Sequence, residues 1–408
     1  MSPEMELYRS PSSMEPLMPE AERGPLGDLG TEIFRKAGEL RTALPAAAVR
    51  EEVASVVREM NSYYSNLIEG HKTLPRDIER ALRNEFSGEE EERRNQRLGV
   101  AHIQVETAMR ERLGAGDVSR VFSSEFLCWI HGRFYHHLPE EEWFTTSTGG
   151  ERRPLRPGSL RDFQVEVGRH VPPDHASLVG FLDRFEGFYG GTAFSGTDRL
   201  VAVAAAHHRL AWIHPFGDGN GRVARLQSQA ALIAAGVDSE GLWTLSRGLA
   251  RSRQTYFRHL QSADQVRTGD FDGRGNLSDR ALSEWCRFFL EQVLDQIDFM
   301  TSMIAPFSLV DRIESYLRFS RTDLESKLRG HLARLLKALC LEGEIRRGEV
   351  AGILGLKGTA GRDVIRRGLE EGLIRSFSEK GPIRLALSSR VVEAYFPRLF
   401  ADLPAGGE

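Results

Sequence analysis

The sequence predicts a mainly α-helical chain, with a helical core that carries a short β-hairpin and a C-terminal module of three helices and a second hairpin. Three observations predict it. Apolar residues recur three or four apart, as in Val53, Val56, Val57, Met60, Tyr64, Leu67 and Ile68, the spacing that turns one face of a helix toward a core. Helical periodicity disappears between Gly149 and Pro173, where Phe163, Val165 and Val167 alternate with Gln164 and Glu166 as in a short strand. The nine residues His214-Pro215-Phe216-Gly217-Asp218-Gly219-Asn220-Gly221-Arg222 hold three of the chain's glycines and run directly into a helix-like stretch, Val223 to Leu232.

Residues 1–30 carry Pro3, Pro11, Pro16, Pro19 and Pro25 among Ser, Glu and Gly, a composition expected to be mostly disordered. A helical region over 31–115 follows. Its main helix starts near Glu51 and is expected to stop at Gly70, a residue suited to closing a helix C-terminus. A second helix is expected from Pro75 to Phe86, then a solvated charge run from Glu89 to Arg94 and a helix through Arg112, broken by Gly114-Ala115-Gly116-Asp117. The core proper is placed at 116–305. Ser123 to His136 presents Phe126, Trp129, Ile130 and Phe134 as an apolar stripe, and helices at Leu178 to Tyr189, Asp198 to Ile213, Arg251 to Ala263 and Ser278 to Met303 complete it. His207 and His208 are adjacent, so they point about 100° apart on their helix and are unsuited to chelating one ion. Residues 306–400 form the C-terminal module, with helices around Leu332 to Leu339, Gly348 to Leu354 and Thr359 to Glu371 and a hairpin from Ile374 to Leu387; 401–408 are a tail.

Composition narrows the function. With a net charge of −4 over 408 residues, the chain is neither a general nucleic-acid binder nor a ligand for anionic membranes. Cys128, Cys286 and Cys340 show no metal-ligand spacing, as expected of buried thiols in a reducing compartment. No apolar run reaches the ~18 residues needed to span a bilayer, and the acidic start is unlike a signal peptide. A soluble, cytoplasmic protein without membrane contact is expected.

The glycine-rich stretch reads as an anion site. Glycines allow positive φ and close approach, and the turn and helix N-terminus present amides to phosphate oxygens. Arg222 and Arg225, three apart on one helical face, would neutralise the charge. Asp218 is a hard carboxylate suited to a magnesium ion on those phosphates, and His214 is a base that titrates near neutrality. A Walker loop is excluded because no Lys-Ser or Lys-Thr pair follows the last glycine.

The stretch resembles the Fic family motif, His-Pro-Phe-x-Asp-Gly-Asn-Gly-Arg-x-x-Arg, with every defined position filled through Arg225. The resemblance implies transfer of AMP from ATP to a Ser, Thr or Tyr hydroxyl of a target protein, with self-modification and a homodimer among the expectations. It implies His214 as the base, Asp218 as the ligand of Mg²⁺ or Mn²⁺, Gly219, Asn220 and Gly221 as the anion hole, and Arg222 and Arg225 on the β- and γ-phosphates. Ser65-Asn66-Leu67-Ile68-Glu69-Gly70 is similar to the inhibitory motif of family members whose regulatory helix precedes the catalytic motif. By that analogy Glu69 pairs with Arg225 and takes the place of the γ-phosphate. Residues 161–168, with Gln164, Val165, Glu166 and Val167 at their centre, loosely resemble the family's flap, a hairpin that would align a target strand by backbone pairing. The C-terminal module resembles a winged helix-turn-helix, whose third helix would carry Lys357, Arg362, Arg366 and Arg367. DNA binding is one reading; acidic Asp363, Glu370 and Glu371 dilute the patch, and domain packing or protein contact is at least as good a one. Two other functions stay open: AMP removal, with Glu69 positioning water, and a DNA-binding regulator with a vestigial core.

Overall fold

The structure is a computed structural model that describes residues 7–116, 120–146, 151–191, 194–357 and 359–400. Asp117 and the tail 401–408 lie outside them. The apolar stripes decide which helices pack. The first region comprises α1 (Arg23–Thr42), α2 (Ala47–Ile68), α3 (Pro75–Leu82) and α4 (Glu90–Gly114). The core adds α5 (Ser124–His136), the strands β1 (Phe144–Thr146) and β2 (Arg152–Pro154), α6 (Leu178–Tyr189), α7 (Thr197–Ile213), α8 (Asn220–Ala234), α9 (Leu245–Arg251), α10 (Arg253–Ala263) and α11 (Asp279–Ile304). At its centre α7 is buried from Leu200 to Leu210, and Ala202, Ala204, Ala205 and Ala206 let α1, α8 and α11 approach closely. Ser123 and Ser278 cap α5 and α11 by accepting amides of Phe126 and Ala281 at 3.1 Å each. No single helix among the described residues is long and apolar enough to cross a membrane.

The C-terminal module consists of α12 (Pro306–Ser315), α13 (Ser326–Glu342), β3 (Glu344–Ile345), α14 (Val350–Leu354), α15 (Ala360–Glu370), β4 (Ile374–Arg375), β5 (Ile383–Leu385) and α16 (Val392–Tyr395). Its sheet has three strands in the order β3-β5-β4, all antiparallel, rather than the expected two. The extra strand is two residues long, too short for any periodicity to show. The sheet sits against α2. Arg375 pairs with buried Glu52, Arg384 with Glu51 at 2.9 Å, and the Tyr64 hydroxyl donates to the Leu399 carbonyl at 3.1 Å.

Three expectations are corrected. The proline-rich stretch is not disordered from residue 7 on. Met14 and Leu17 are buried, the Tyr189 hydroxyl donates to the Leu17 carbonyl at 2.5 Å, and Arg209 reaches the Pro16 carbonyl with two donors at 3.0 and 2.7 Å. Few apolar residues suffice because buried polar groups of α6 and α7 satisfy the strap's backbone. The strand expected at Gln164 to Val167 does not form; only Val167 and His170 exchange backbone hydrogen bonds, both at 3.0 Å. The hairpin lies earlier, where Phe144 pairs with Pro154 and Thr146 with Arg152. Its alternation loses to a local cation, since Arg161 draws the Phe163 and Pro173 carbonyls inward and the Gln164 amide donates to Pro172. Finally, the helix expected to Phe86 ends at Leu82, because Asn84 turns with φ +64°.

Candidate active site

The two central helices α7 and α8 meet at the glycine-rich stretch. Pro215 disfavours helical backbone in the residue before it, so α7 ends at Ile213 and His214 takes a left-handed conformation, φ 50° and ψ 60°. Asn220 then closes the loop on itself: its side chain donates to the Phe216 carbonyl at 2.8 Å and accepts the Phe216 amide at 2.9 Å. Gly219 starts α8 at φ +80°, and a Cβ on Gly217 would strike Leu155 and Phe163 at 2.6 and 2.9 Å. Phe216 is fully buried and stacks on His131, centroids 4.2 Å apart. The loop is thus rigid before any ligand arrives.

A cavity of about 580 Å³ opens beside it, lined among others by Glu69, His214, Asn220, Gly221 and Arg225. Its size suits a nucleotide. Burial, then the nearby charges of His170 and Arg161, push the His214 imidazole down to about 4, so it is neutral at pH 7. Val167 to His170 form one wall, and Arg253, Tyr256 and Phe257 of α10 another. Of the expected flap residues only Val167 reaches the cavity. Asp218 and Arg222 lie to the side: Asp218 Oδ2 accepts the Tyr135 hydroxyl at 2.5 Å and Arg222 Nη2 at 3.2 Å. Burial opposes charge on Asp218, but Arg222 and the Tyr135 hydroxyl outweigh it and hold its carboxyl below the ordinary range. Arg222 is buried over the Phe134 ring at 4.8 Å, with Nε and Nη1 unpartnered among the described residues.

Arg225, also buried, is engaged through Nε and Nη2. Its Nε donates to Ser65 Oγ and its Nη2 to the Ser65 carbonyl, both at 2.9 Å, and Nη2 donates to Glu69 Oε1 at 2.6 Å. Both partners come from the last turn of α2. Gly70 makes that turn possible: at φ +89° it donates to Leu67 at 3.0 Å while His71 donates to Asn66 at 2.9 Å, the paired bonds of a Schellman closure. Glu69 is therefore the helix's C-cap, one step beyond where the sequence placed it. Arg253 Nε caps the Ile68 carbonyl at 2.9 Å. The Glu69 carboxylate rests over the first turn of α8, where a Cβ on Gly221 would be 2.2 Å from Oε1. It occupies the anion position at a helix N-terminus. Burial opposes its charge, yet Arg225 and Arg222 hold its carboxyl low.

Residues 121–232 match the sequence model of the Fic/DOC family. The chain carries a Fic domain. It is 34% identical over 116 residues to the protein adenylyltransferase Fic of Culex quinquefasciatus, a match covering 28% of this chain and 22% of that protein. It is 40% identical over 87 residues to that of Drosophila willistoni, covering 21% and 18%. The match therefore spans about a fifth of the length of these relatives. Among solved structures, a Fic family protein from Desulfovibrio desulfuricans G20 aligns over 90% of this chain and 98% of its own with a TM-score of 0.54 and 18% identity. A Fic domain containing signaling protein from Bacteroides thetaiotaomicron aligns over 68% and 96%, TM-score 0.51, 16% identity. These two share the fold. Within the Fic domain, Tyr135, His131 and Arg161 escaped sequence reasoning: Tyr135 and His131 meet partners 83 and 27 residues away, and Arg161 meets the His214 carbonyl 53 residues away and carbonyls of its own loop, which leave no signal in residue type. His207 and His208 are structural. His207 bonds Ser228 and Tyr256 at 2.8 and 3.0 Å, and no cluster of three metal-ligating groups exists among the described residues.

Proposed function

We propose that the chain is a protein adenylyltransferase restrained by its own Glu69. The observation that carries this reading is one carboxylate bound to Arg225 over the α8 N-terminus, in the cavity that holds His214. His214 takes the proton of a Ser, Thr or Tyr hydroxyl on the target. That oxygen bonds to the α-phosphorus of ATP, the bond to the β-bridging oxygen breaks, and diphosphate leaves. The backbone of Gly219, Asn220 and Gly221 lines the phosphates, while the Asn220 side chain holds the loop and leaves anion binding to amides. Arg225, once released, and the unpartnered nitrogens of Arg222 neutralise the phosphates, the kind of assistance phosphoryl chemistry needs most. The donor set fits Mg²⁺ or Mn²⁺: Asp218 is a hard carboxylate whose Oδ2 accepts from Tyr135 and Arg222, and this carboxylate would hold the ion. Such an ion would offset phosphate charge.

His214→Ala should lower transfer by about a hundredfold or more, the usual weight of a general base, with ATP affinity nearly unchanged in a calorimetric titration. Loss of ATP binding would instead make the histidine a phosphate ligand and overturn its role. The target segment is a separate matter. Gln164, Val165 and Glu166 have no backbone hydrogen-bond partner among the described residues, so they remain free to pair with an extended chain. Val165→Pro removes a donor and fixes φ, and should impair modification of a target protein more than auto-modification; equal effects on both would take this loop out of target recognition.

The C-terminal module is better suited to protein than to DNA. Arg375 and Arg384 of its sheet are paired with Glu52, Glu51 and Glu344, and Arg366 and Arg367 of α15 with Glu370 and Glu371. Phosphate contacts would have to break these pairs.

A further inference from the structure

The carbonyls that end a helix have no partner within it. At the end of α7 and just beyond it, the carbonyls of Trp212, His214 and Pro215 are taken up from a single loop. Arg161 Nε donates to the His214 carbonyl at 2.9 Å, the Arg161 amide donates to Pro215 at 2.9 Å, and His170 Nε2 donates to Trp212 at 2.7 Å. The same guanidinium grips its own loop, with Nη1 on the Phe163 carbonyl at 3.0 Å and Nη2 on Pro173 at 2.6 Å. Arg161 is 4% exposed. No carboxylate lies within ion-pair distance of it among the described residues; backbone carbonyls and the Gln164 side chain hold it directly, and the opposite charge of Asp174 acts on it only from farther off. A buried cation without a counter-ion is an expensive way to hold a loop. What it gains is a single rigid plane that reaches the base and the loop at once.

We propose that Arg161 is a positioning residue, whose guanidinium fixes the left-handed backbone of His214 and docks the 163–170 loop against it, so that base and loop are set as one unit. A non-glycine residue at φ +50° persists only where its surroundings over-determine it, and Arg161 supplies hydrogen bonds to the two consecutive carbonyls at and after that residue. His170 ties the far end of the loop to the same helix terminus. The loop wall of the cavity and the base therefore cannot move independently. In Arg161→Met the apolar stem is kept while the side-chain bonds are lost; in Arg161→Lys one donor and the charge remain.

The activity arm of the test rests on the adenylyltransferase reading, and the other arms do not. In the full chain carrying Glu69→Gly, Arg161→Met should lower kcat for auto-modification about ten- to a hundredfold, the cost of a small misplacement of a reacting group, with the KM for ATP within about twofold. Arg161→Lys should recover part of the loss. Amide exchange should quicken across 163–170 and at His214 but not in α2 or α11, and the ring resonances of His214 should shift. Unchanged exchange and unchanged His214 resonances in both variants would overturn the proposal. So would a general rise in exchange with kcat and ATP affinity falling together, which marks a merely structural role. Should the Glu69→Gly parent itself transfer no AMP, the functional reading fails, and exchange and resonance still decide whether Arg161 joins loop and base.

Discussion

Replacing Glu69 with glycine should raise auto-modification by at least about tenfold, the equivalent of ~1.4 kcal/mol off the barrier. In the resting protein Nη2 of Arg225 is bound to the carboxylate and Nε to Ser65, so the guanidinium has its strongest donors turned toward α2. The carboxylate also stands over Gly221, where the first amides of α8 would otherwise meet a phosphate. On the proposed reading, ATP that enters must take a pose without this arginine. Glu69→Gly removes the competitor at both places, while Ser65 still braces the freed side chain. The gain should require Arg225: in Glu69→Gly with Arg225→Ala, activity should fall to the wild-type level or below it. Incorporation of labelled AMP into the purified chain reads both. An unchanged rate in a folded Glu69→Gly variant would reduce the ion pair to a helix-end contact.

The second large effect concerns acid. His102 and His207 are fully buried, and burial pushes each imidazole down to about 3. The folded state thus refuses a proton that the unfolded chain accepts near pH 6.5. With the folded value depressed, the stabilisation is full above pH 6.5 and is lost as pH falls toward the folded value. Each histidine contributes a slope approaching about 1.4 kcal/mol per pH unit, so the pair removes roughly 5 kcal/mol between pH 6.5 and 4.5. That is comparable with the whole stability of a typical domain. The urea midpoint should therefore collapse between pH 6 and 4.5. Neither ring nitrogen of His102 has a hydrogen-bond partner among the described residues, so His102→Met should cost little at pH 7 and move the acid transition lower. A midpoint flat across that range would show that the buried rings take up protons in the native state.

How much of this was legible beforehand follows from the range of the interactions. Leu178–Tyr189 was visible to the residue because an apolar stripe is a property of consecutive positions. The motif was legible for the same reason, its base, carboxylate, glycines and arginines lying within one short stretch. The Glu69–Arg225 pair spans 156 residues and was reachable only through the resemblance. Arg161 and Tyr135 had neither route. Arg161 holds the carbonyls of His214, Phe163 and Pro173, and Tyr135 a distant aspartate; carbonyl partners carry no residue type, so the sequence does not distinguish either side chain from a solvated one. The misplaced strand failed differently: alternation was present, but a strand needs a neighbour, and while Arg161 took the Phe163 carbonyl, no strand paired with Gln164 to Glu166 among the described residues. The strap over 7–22 was missed because it contributes few apolar side chains and is held through its backbone.

One consequence follows from the double employment of α2. From Val49 to Ile68 this helix is a beam of the core, buried against α4 and α9 and bearing the C-terminal sheet on its outer side. It cannot swing away as a detachable arm would. Only the turn from Asn66 to His71, held by three backbone bonds, one arginine cap and the ion pair, is small enough to open by itself. The proposed restraint is then a latch at the tip of a fixed beam, with a resting position set by the free energy of fraying one turn. Gly70 governs that energy, so in the proposed restraint the hold of Glu69 on Arg225 is set by a residue whose own bonds go to neither side chain.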